Sequence, residues 1–400
     1  METHRLYYED AYLTSFDARV TEVREGGWIA LDRSAFYPTS GGQPYDTGRL
    51  AWDGGETRVI DVEAENGVVW HRTEQAAPLG ASVRGEIDWD RRLDHMQQHA
   101  GDHMLAGAAW QLFGGVTIGL HLGRADSTID LDMPEGRTHL TADETEALET
   151  LVNRRVMADD PIRCWFPTDA ELAALPLRKK PTVERHVRVV AMGDYEMVAC
   201  GGTHPRTTGQ IGPIKIVSTG PARGKMRLCF VAGMRAYRYF QAAARCAEAV
   251  AAQVSAPLND APAALARDRE EQRIQCRELE ERLLTAALEA LRAGRQGELY
   301  AGHLPYADPA LLLRAAGELT KEGKAAALLS CPGKAGCSLV FARGKDAEAD
   351  MAALLRSSGA RGGGKPDMAQ GSAPDGEALE RAVAAFIQGV PPRTHPAEQI

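Results

Sequence analysis

The sequence predicts a multidomain α+β protein. The expected order is a small antiparallel β-barrel, a mixed α/β domain, a helical or coiled-coil linker and a small C-terminal α/β domain. Three observations carry this. The chain has 400 residues, too many for one small core. Its apolar residues alternate near the N-terminus and change to helical spacing at about residue 89. A stretch rich in Ala, Glu and Arg then separates this region from a second run of alternating helix and strand signals. The expected boundaries are 1–88, 89–235, 236–298 and 299–400.

Each element follows from local chemistry. In the first segment, VTEVREGGWIALD turns at Gly26-Gly27, and TRVIDVEAENGVVWHR carries an Asn66-Gly67 hairpin signal between two β-rich runs. GASVRGEIDW supplies one more strand, whereas SAFYPTSGGQPYDTG is too rich in Gly and Pro to be a strand interior. From Arg91 to Phe113, residues Leu93, Met96, Ala100, Met104 and Ala108 recur every three or four positions, which predicts a helix. STIDLDM, RHVRVVAMG and PIKIVSTG read as strands. Thr141 and Glu144 form a capping-box pair that opens a second helix.

Pro257 and Pro262 break the region after 236 into at least two helices. Leu279, Leu283, Leu284, Leu288 and Leu291 stripe the longer one, a helical hairpin or short coiled coil. AAALLS and SLVFARG read as strands of the last domain. They are followed by the Gly-rich GARGGGKPDMAQGSAP and a helix through Phe386.

Composition narrows the class. Hydrophobic residues at 44% and charged residues at 25% describe an ordinary globular chain, neither disordered nor fibrous. The net charge of −9 argues against a general nucleic-acid coat protein. With a mean hydropathy of −0.30 and no long apolar run, no transmembrane helix is expected. Glu2, Glu9 and Asp10 stand where a signal peptide needs apolar residues, and the seven scattered cysteines suit free thiols or a metal site. A cytoplasmic location is the expectation.

The chemistry concentrates in two pairs. His95, His99 and His103 recur every four residues, so consecutive imidazoles drift only about 40° around a helix, and adjacent pairs can face one ion. Cys200-Gly-Gly-Thr-His204 holds a thiol and an imidazole on a glycine turn, whose backbone freedom is expected to bring both side chains together. Two His from a helix with Cys and His from a turn make an N/S set suited to Zn²⁺. A metallopeptidase is disfavoured, because Ala100 and Met96 follow the histidines where H-E-x-x-H needs Glu.

The sequence H-A-G-D-H at 99–103 and C-G-G-T-H at 200–204, preceded by F-Y-P-T-S-G-G-Q-P-Y-D-T-G at 36–48, resembles the editing domain of alanyl-tRNA synthetase and the AlaX-type alanyl-tRNA editing proteins. G-G-G-K-P-D-M-A-Q-G at 362–371 resembles the DHH-associated domain that ends alanyl-tRNA synthetase. With the barrel starting inside the first twenty residues, the long AlaX form is expected: editing without charging.

The resemblance implies hydrolysis of tRNA(Ala) wrongly esterified with serine, and with glycine as a second substrate. It implies zinc ligands at His99, His103, Cys200 and His204, with His95 one turn upstream, beside the ion, facing substrate or simply at the surface. It places Ser34 as reader of the serine hydroxyl. The residues themselves leave Ser34 and Gln43 open between function and turn chemistry. Gln43 is a candidate to position water or the carbonyl. Thr39 and Ser40 are further candidates, for which plain turn chemistry is the preferred reading.

Residues 177–240 hold twelve basic and three acidic side chains, Lys179 and Arg188 among them, so this segment is the expected tRNA-binding face. The Gly362–Lys365 run lacks the P-loop spacing. The resemblance gives the C-terminal domain a tRNA-gripping role, and the helical or C-terminal region a candidate homodimer surface. Two other functions stay open: a non-catalytic tRNA-binding zinc protein, and an amidohydrolase acting on a small aminoacyl compound.

Overall fold

The computed structural model describes residues 2–181, 186–334 and 336–389, and it divides into two compact units, 1–247 and 248–400. In the first unit six strands close an antiparallel barrel. They are β1 (Ser15–Arg24), β2 (Trp28–Leu31), β3 (Gly48–Trp52), β4 (Gly55–Glu65), β5 (Val68–Thr73) and β6 (Ser82–Ile87), in the order β1-β2-β5-β4-β3-β6. Phe16, Val20, Ile29, Leu31, Phe36, Leu50, Val59, Val62 and Val69 fill its interior, the inward half of each alternating pattern. The β4–β5 turn has positive φ at both Asn66 and Gly67, which is the twist a tight hairpin needs.

Helix α1 (Trp89–Phe113) leaves the barrel and is buried on all sides from His95 to Ala109. A helix this polar tolerates such burial only where its polar groups find partners. Gln98 supplies one case: its amide accepts from Ala232 N–H and donates to Ala232 O, both at 2.9 Å. Arg92 supplies another. It is fully buried against Asp46 and also donates to Ala11 O and Ala35 O, while Asp46 accepts from Tyr37 N–H. The 36–48 loop is thereby fixed to the start of the helix.

Against α1 pack a four-stranded antiparallel sheet and helix α2 (Ala142–Met157). The sheet contains β7 (Val116–Leu122), β8 (Ser127–Asp132), β12 (Ile214–Ala222) and β13 (Lys225–Ala232), ordered β12-β13-β8-β7. The capping box of Thr141 and Glu144 is present at the start of α2. A three-stranded sheet of β9 (Ile162–Trp165), β10 (Val189–Met192) and β11 (Glu196–Ala199) delivers the chain to Cys200, after the short helix α3 (Asp169–Ala174). Helix α4 (Met234–Gln253) follows β13.

The second unit begins with α5 (Ala261–Ala293). Leu284, Ala287 and Leu291 are buried in this unit's own core with α6 (Pro309–Leu319), whereas Leu279 is 60% exposed. The leucine stripe is thus taken up locally. Strands β14 (Leu299–His303), β15 (Ala326–Gly333), β16 (Gly336–Arg343), β17 (Arg361–Gly364) and β18 (Met368–Ala373) form one sheet in the order β14-β15-β16-β18-β17, with α7 (Met351–Ser357) and α8 (Glu377–Ile387) packed on it. The Gly-rich 361–371 stretch is a hairpin at the sheet edge. Its glycines let the two backbones approach, since a Cβ at Gly362 would lie 2.2 Å from Gln370 O. Among the described residues no helix is long and apolar enough to cross a membrane.

Candidate metal centre and cleft

His99 and His103 leave one face of α1 with stacked rings 5.0 Å apart. Opposite them the turn after β11 carries Cys200 and His204. The Cys200 Sγ lies 3.3 Å from His99 Nε2 and 3.4 Å from His204 Nε2, and one donor atom from each of the four residues lies within 4.8 Å of all the others. Tetrahedral zinc with bonds of about 2.0–2.3 Å spaces its donors roughly 3.3–3.7 Å apart. Both His103 ring nitrogens are buried without a protein partner, and an ion held among the four donors would satisfy one of them.

Electrostatics prepare the same set. Burial pushes His99 down to about 3 and holds His103 and His204 well below the usual histidine range; repulsion from neighbouring histidines adds to this, with Arg188 acting on His99 and His204 and Arg178 on His103. Burial pushes the Cys200 thiol up to about 12. Three neutral imidazoles and a thiol that needs a nearby cation to ionise fit a soft divalent metal.

The shell behind the donors is specific. Gln43 Oε1 accepts from Thr203 N–H at 3.1 Å, and Gln43 Nε2 donates to Thr203 Oγ1 at 2.8 Å. The amide oxygen is therefore pinned toward His99 Nδ1, 2.8 Å away, which must carry its proton. That tautomer leaves Nε2 as a free lone pair facing the sulfur. Arg188 donates to Cys200 O at 3.0 Å and Gly202 O at 2.8 Å and so clasps the turn.

The glycines of the turn have a reason other than the one expected. Neither Gly201 nor Gly202 has positive φ. Gly202 is needed for space, because a Cβ there would lie 2.1 Å from His99 Cε1.

His99, His103 and Cys200 line a cleft of about 640 Å³ together with Tyr8, Phe166, Arg178, Lys179, Lys180 and Arg188, while His204 is buried behind them. Lys179 donates to Thr117 O. The other expected residues lie apart from it. Gln43 is fully buried behind His99, with its amide engaged, and is not a cleft-lining group for water or carbonyl. Ser34 is inside the barrel, 2.7 Å from His71 Nε2, and its Oγ accepts from Phe36 N–H, so its hydroxyl is shut off from the cleft. Thr39 is exposed, its N–H donating to Val62 O. His95 lines a separate cavity of about 1100 Å³. Ser40 does reach the cleft.

The basic excess of 177–240 is smaller in space than in sequence. Arg178, Arg206, Lys215, Lys225, Arg227 and Arg235 pair with Glu196, Asp10, Glu149, Asp132, Asp130 and Asp94. Among the described residues, Lys179, Lys180 and Arg188 carry no carboxylate partner, and all three line the cleft. Arg185 lies outside the described residues. Sequence reasoning missed Tyr8, Phe166 and Asp102, a buried cleft carboxyl that burial raises to about 7. The Tyr7-Tyr8 pair near the N-terminus was the one available signal.

Comparison with known proteins bears on these residues. Residues 8–91 match the family "tRNA synthetases class II (A)", 187–228 match "Threonyl and Alanyl tRNA synthetase second additional domain", and 300–390 match the DHHA1 domain. The alanine–tRNA ligase of Pyrobaculum neutrophilum is 35% identical over 96% of this chain and 44% of its own length. That of Pyrococcus abyssi is 33% identical over 97% of this chain and 44% of its own. That of Thermococcus kodakarensis is 38% identical over 60% of this chain and 27% of its own. The chain thus spans less than half the length of these relatives. The solved C-Ala domain of Aquifex aeolicus alanyl-tRNA synthetase aligns over 22% of this chain and 87% of its own at 21% identity and TM-score 0.21, too slight a likeness to bear on the fold. With three synthetase-type domains matched in one chain and alanine–tRNA ligases aligned along nearly all of it, the chain is related in sequence to the alanyl-tRNA synthetases.

Proposed function

We propose that the chain deacylates mischarged tRNA(Ala) in trans, with serine as the first and glycine as the second amino acid removed, and that His99, His103, Cys200 and His204 hold Zn²⁺ for this purpose. The observation that carries the reading is a four-donor set, three of whose members line a cleft whose Lys179, Lys180 and Arg188 have no carboxylate partner among the described residues. An ester at the 3′ end of an RNA brings phosphates with it, and unpaired cations beside a metal centre suit such a substrate. When bound, zinc supplies a Lewis acid for the carbonyl and a site where water loses its proton more readily.

The chain's own residues do the rest. Gln43 fixes the His99 tautomer, and Arg188 holds the turn carbonyls, so the donors are set before substrate arrives. Lys179 and Lys180 meet the phosphates, while the cleft walls keep the ester beside the donors.

A second reading is favoured by one count. Four protein donors normally close a structural zinc site, which would suit a tRNA-binding protein without catalysis. Turnover separates the two. Substoichiometric protein should deacylate Ser-tRNA(Ala) faster than Gly-tRNA(Ala) and spare Ala-tRNA(Ala), with zinc measured on the same sample. Cys200→Ala with His204→Ala should abolish both zinc and activity. Full activity in the metal-free double variant would sink the metal-dependent reading, and tRNA binding without turnover would support the structural one.

A further inference from the structure

Four aromatic rings run edge to face toward the cleft. Tyr37 and Tyr7 meet at 5.3 Å and 74°, Tyr7 and Tyr8 at 4.7 Å and 69°, and Tyr8 and Phe166 at 5.6 Å and 74°. Tyr37 and Tyr7 are buried, and Tyr8 is half-buried. Phe166 ends the series 49% exposed in the cleft. The series also passes close to the donor-bearing turn, since a Cβ added to Gly201 would lie 3.4 Å from Tyr8 Oη. The guanidinium of Arg188 stands 5.2 Å and that of Arg5 5.9 Å from the Tyr8 ring centre. The rings are thus braced from behind, and a phenylalanine is presented in a cleft that also holds Lys179, Lys180 and Arg188.

A half-exposed apolar ring in a basic cleft matches a ligand that is flat and apolar on its face and anionic at its edge. We propose that Phe166, backed by Tyr8, is a stacking platform for the base of the terminal nucleoside whose ester lies at the four-donor centre. This rests on the function proposed above. The division of labour is physical. The ring takes the π-face of the base, Lys179 and Lys180 take the phosphates, and the stacked edge-to-face series keeps Phe166 in place at little entropic cost. Stacking is tolerant of base identity, so the platform would position the 3′ end without reading its sequence.

The full chain tests this with Phe166→Ala and Phe166→Trp. Loss of one base–aromatic stack should raise KM for Ser-tRNA(Ala) about 5- to 150-fold with kcat little changed, and tryptophan should restore it. A Ser-tRNA(Ala) lacking only its terminal base should be insensitive to Phe166→Ala. An unchanged KM in the alanine variant, or an equal loss on the base-free substrate, overturns the platform. Should the wild-type chain fail to deacylate at all, the function fails separately. Binding of a short CCA oligonucleotide then decides the platform alone: the same fold-loss on Phe166→Ala supports it, and equal binding refutes it.

Discussion

Gly202→Ala tests the metal centre through one methyl group. An ideal Cβ at 202 would lie 2.1 Å from His99 Cε1, 2.3 Å from His99 Nδ1 and 3.0 Å from Gln43 Oε1. Carbon atoms rest about 3.5–4.0 Å apart, so the imidazole must retreat by more than about 1 Å. That movement breaks the 2.8 Å contact with Gln43 and pulls Nε2 from its place 3.3 Å from the sulfur. Metal sites tolerate donor errors of only about 0.2 Å. Loss of a supporting contact alone costs about 10- to 100-fold in affinity, and here a donor moves as well, so a fall of about 100-fold or more is expected. Competition against a chromophoric chelator reads the affinity directly. Gly201→Ala is the control, because its added Cβ meets nothing closer than Tyr8 Oη at 3.4 Å. A Gly202→Ala protein that binds zinc within about threefold of wild type would show that the four residues do not act together on one ion.

Two further outcomes follow from the same geometry. Arg92→Met leaves Asp46 buried without its charge partner and should cost about 3–5 kcal/mol, or roughly 6–20 °C in the Tm of the first unit, read by calorimetry; an unchanged Tm would refute the role given to this pair. The second concerns protons. With His99 held down to about 3 and Cys200 pushed up to about 12, the thiol is the group that must lose a proton when zinc binds at neutral pH. Affinity should therefore rise about tenfold per pH unit between roughly pH 5.5 and 8.5, with about one proton released per ion. Titration calorimetry in buffers of different ionisation enthalpy counts that proton; a count near zero or near three contradicts the assignment.

What was legible in the sequence was local. The Asn66-Gly67 turn, the Thr141 capping box and the four-residue histidine spacing each carry their reason within a few positions. The 361–371 hairpin was opaque because glycines have no side chain to alternate: β17 is defined by its backbone pairing with β18, and β18 by its pairing with β16. Gln43 looked like a cleft residue because its partner Thr203 lies 160 positions away. Ser34 looked available because nothing local announces His71 behind it. The charge of 177–240 was overcounted for the same reason. Asp10, Asp94, Asp130, Asp132 and Glu149, which neutralise much of it, come from other parts of the chain.

The two halves of the donor set differ in mechanical character. His99 and His103 ride on a helix enclosed on every side, whereas Cys200 and His204 ride on a short connection fastened chiefly by Arg188 and Gln43. The helix is a fixed seat and the connection is a latch. Exchange of an ion held there would follow local opening of the latch, and its rate would track that small event and not the unfolding of the whole unit. Loosening Arg188 would make the ion labile while the melting temperature of the protein stays nearly where it was.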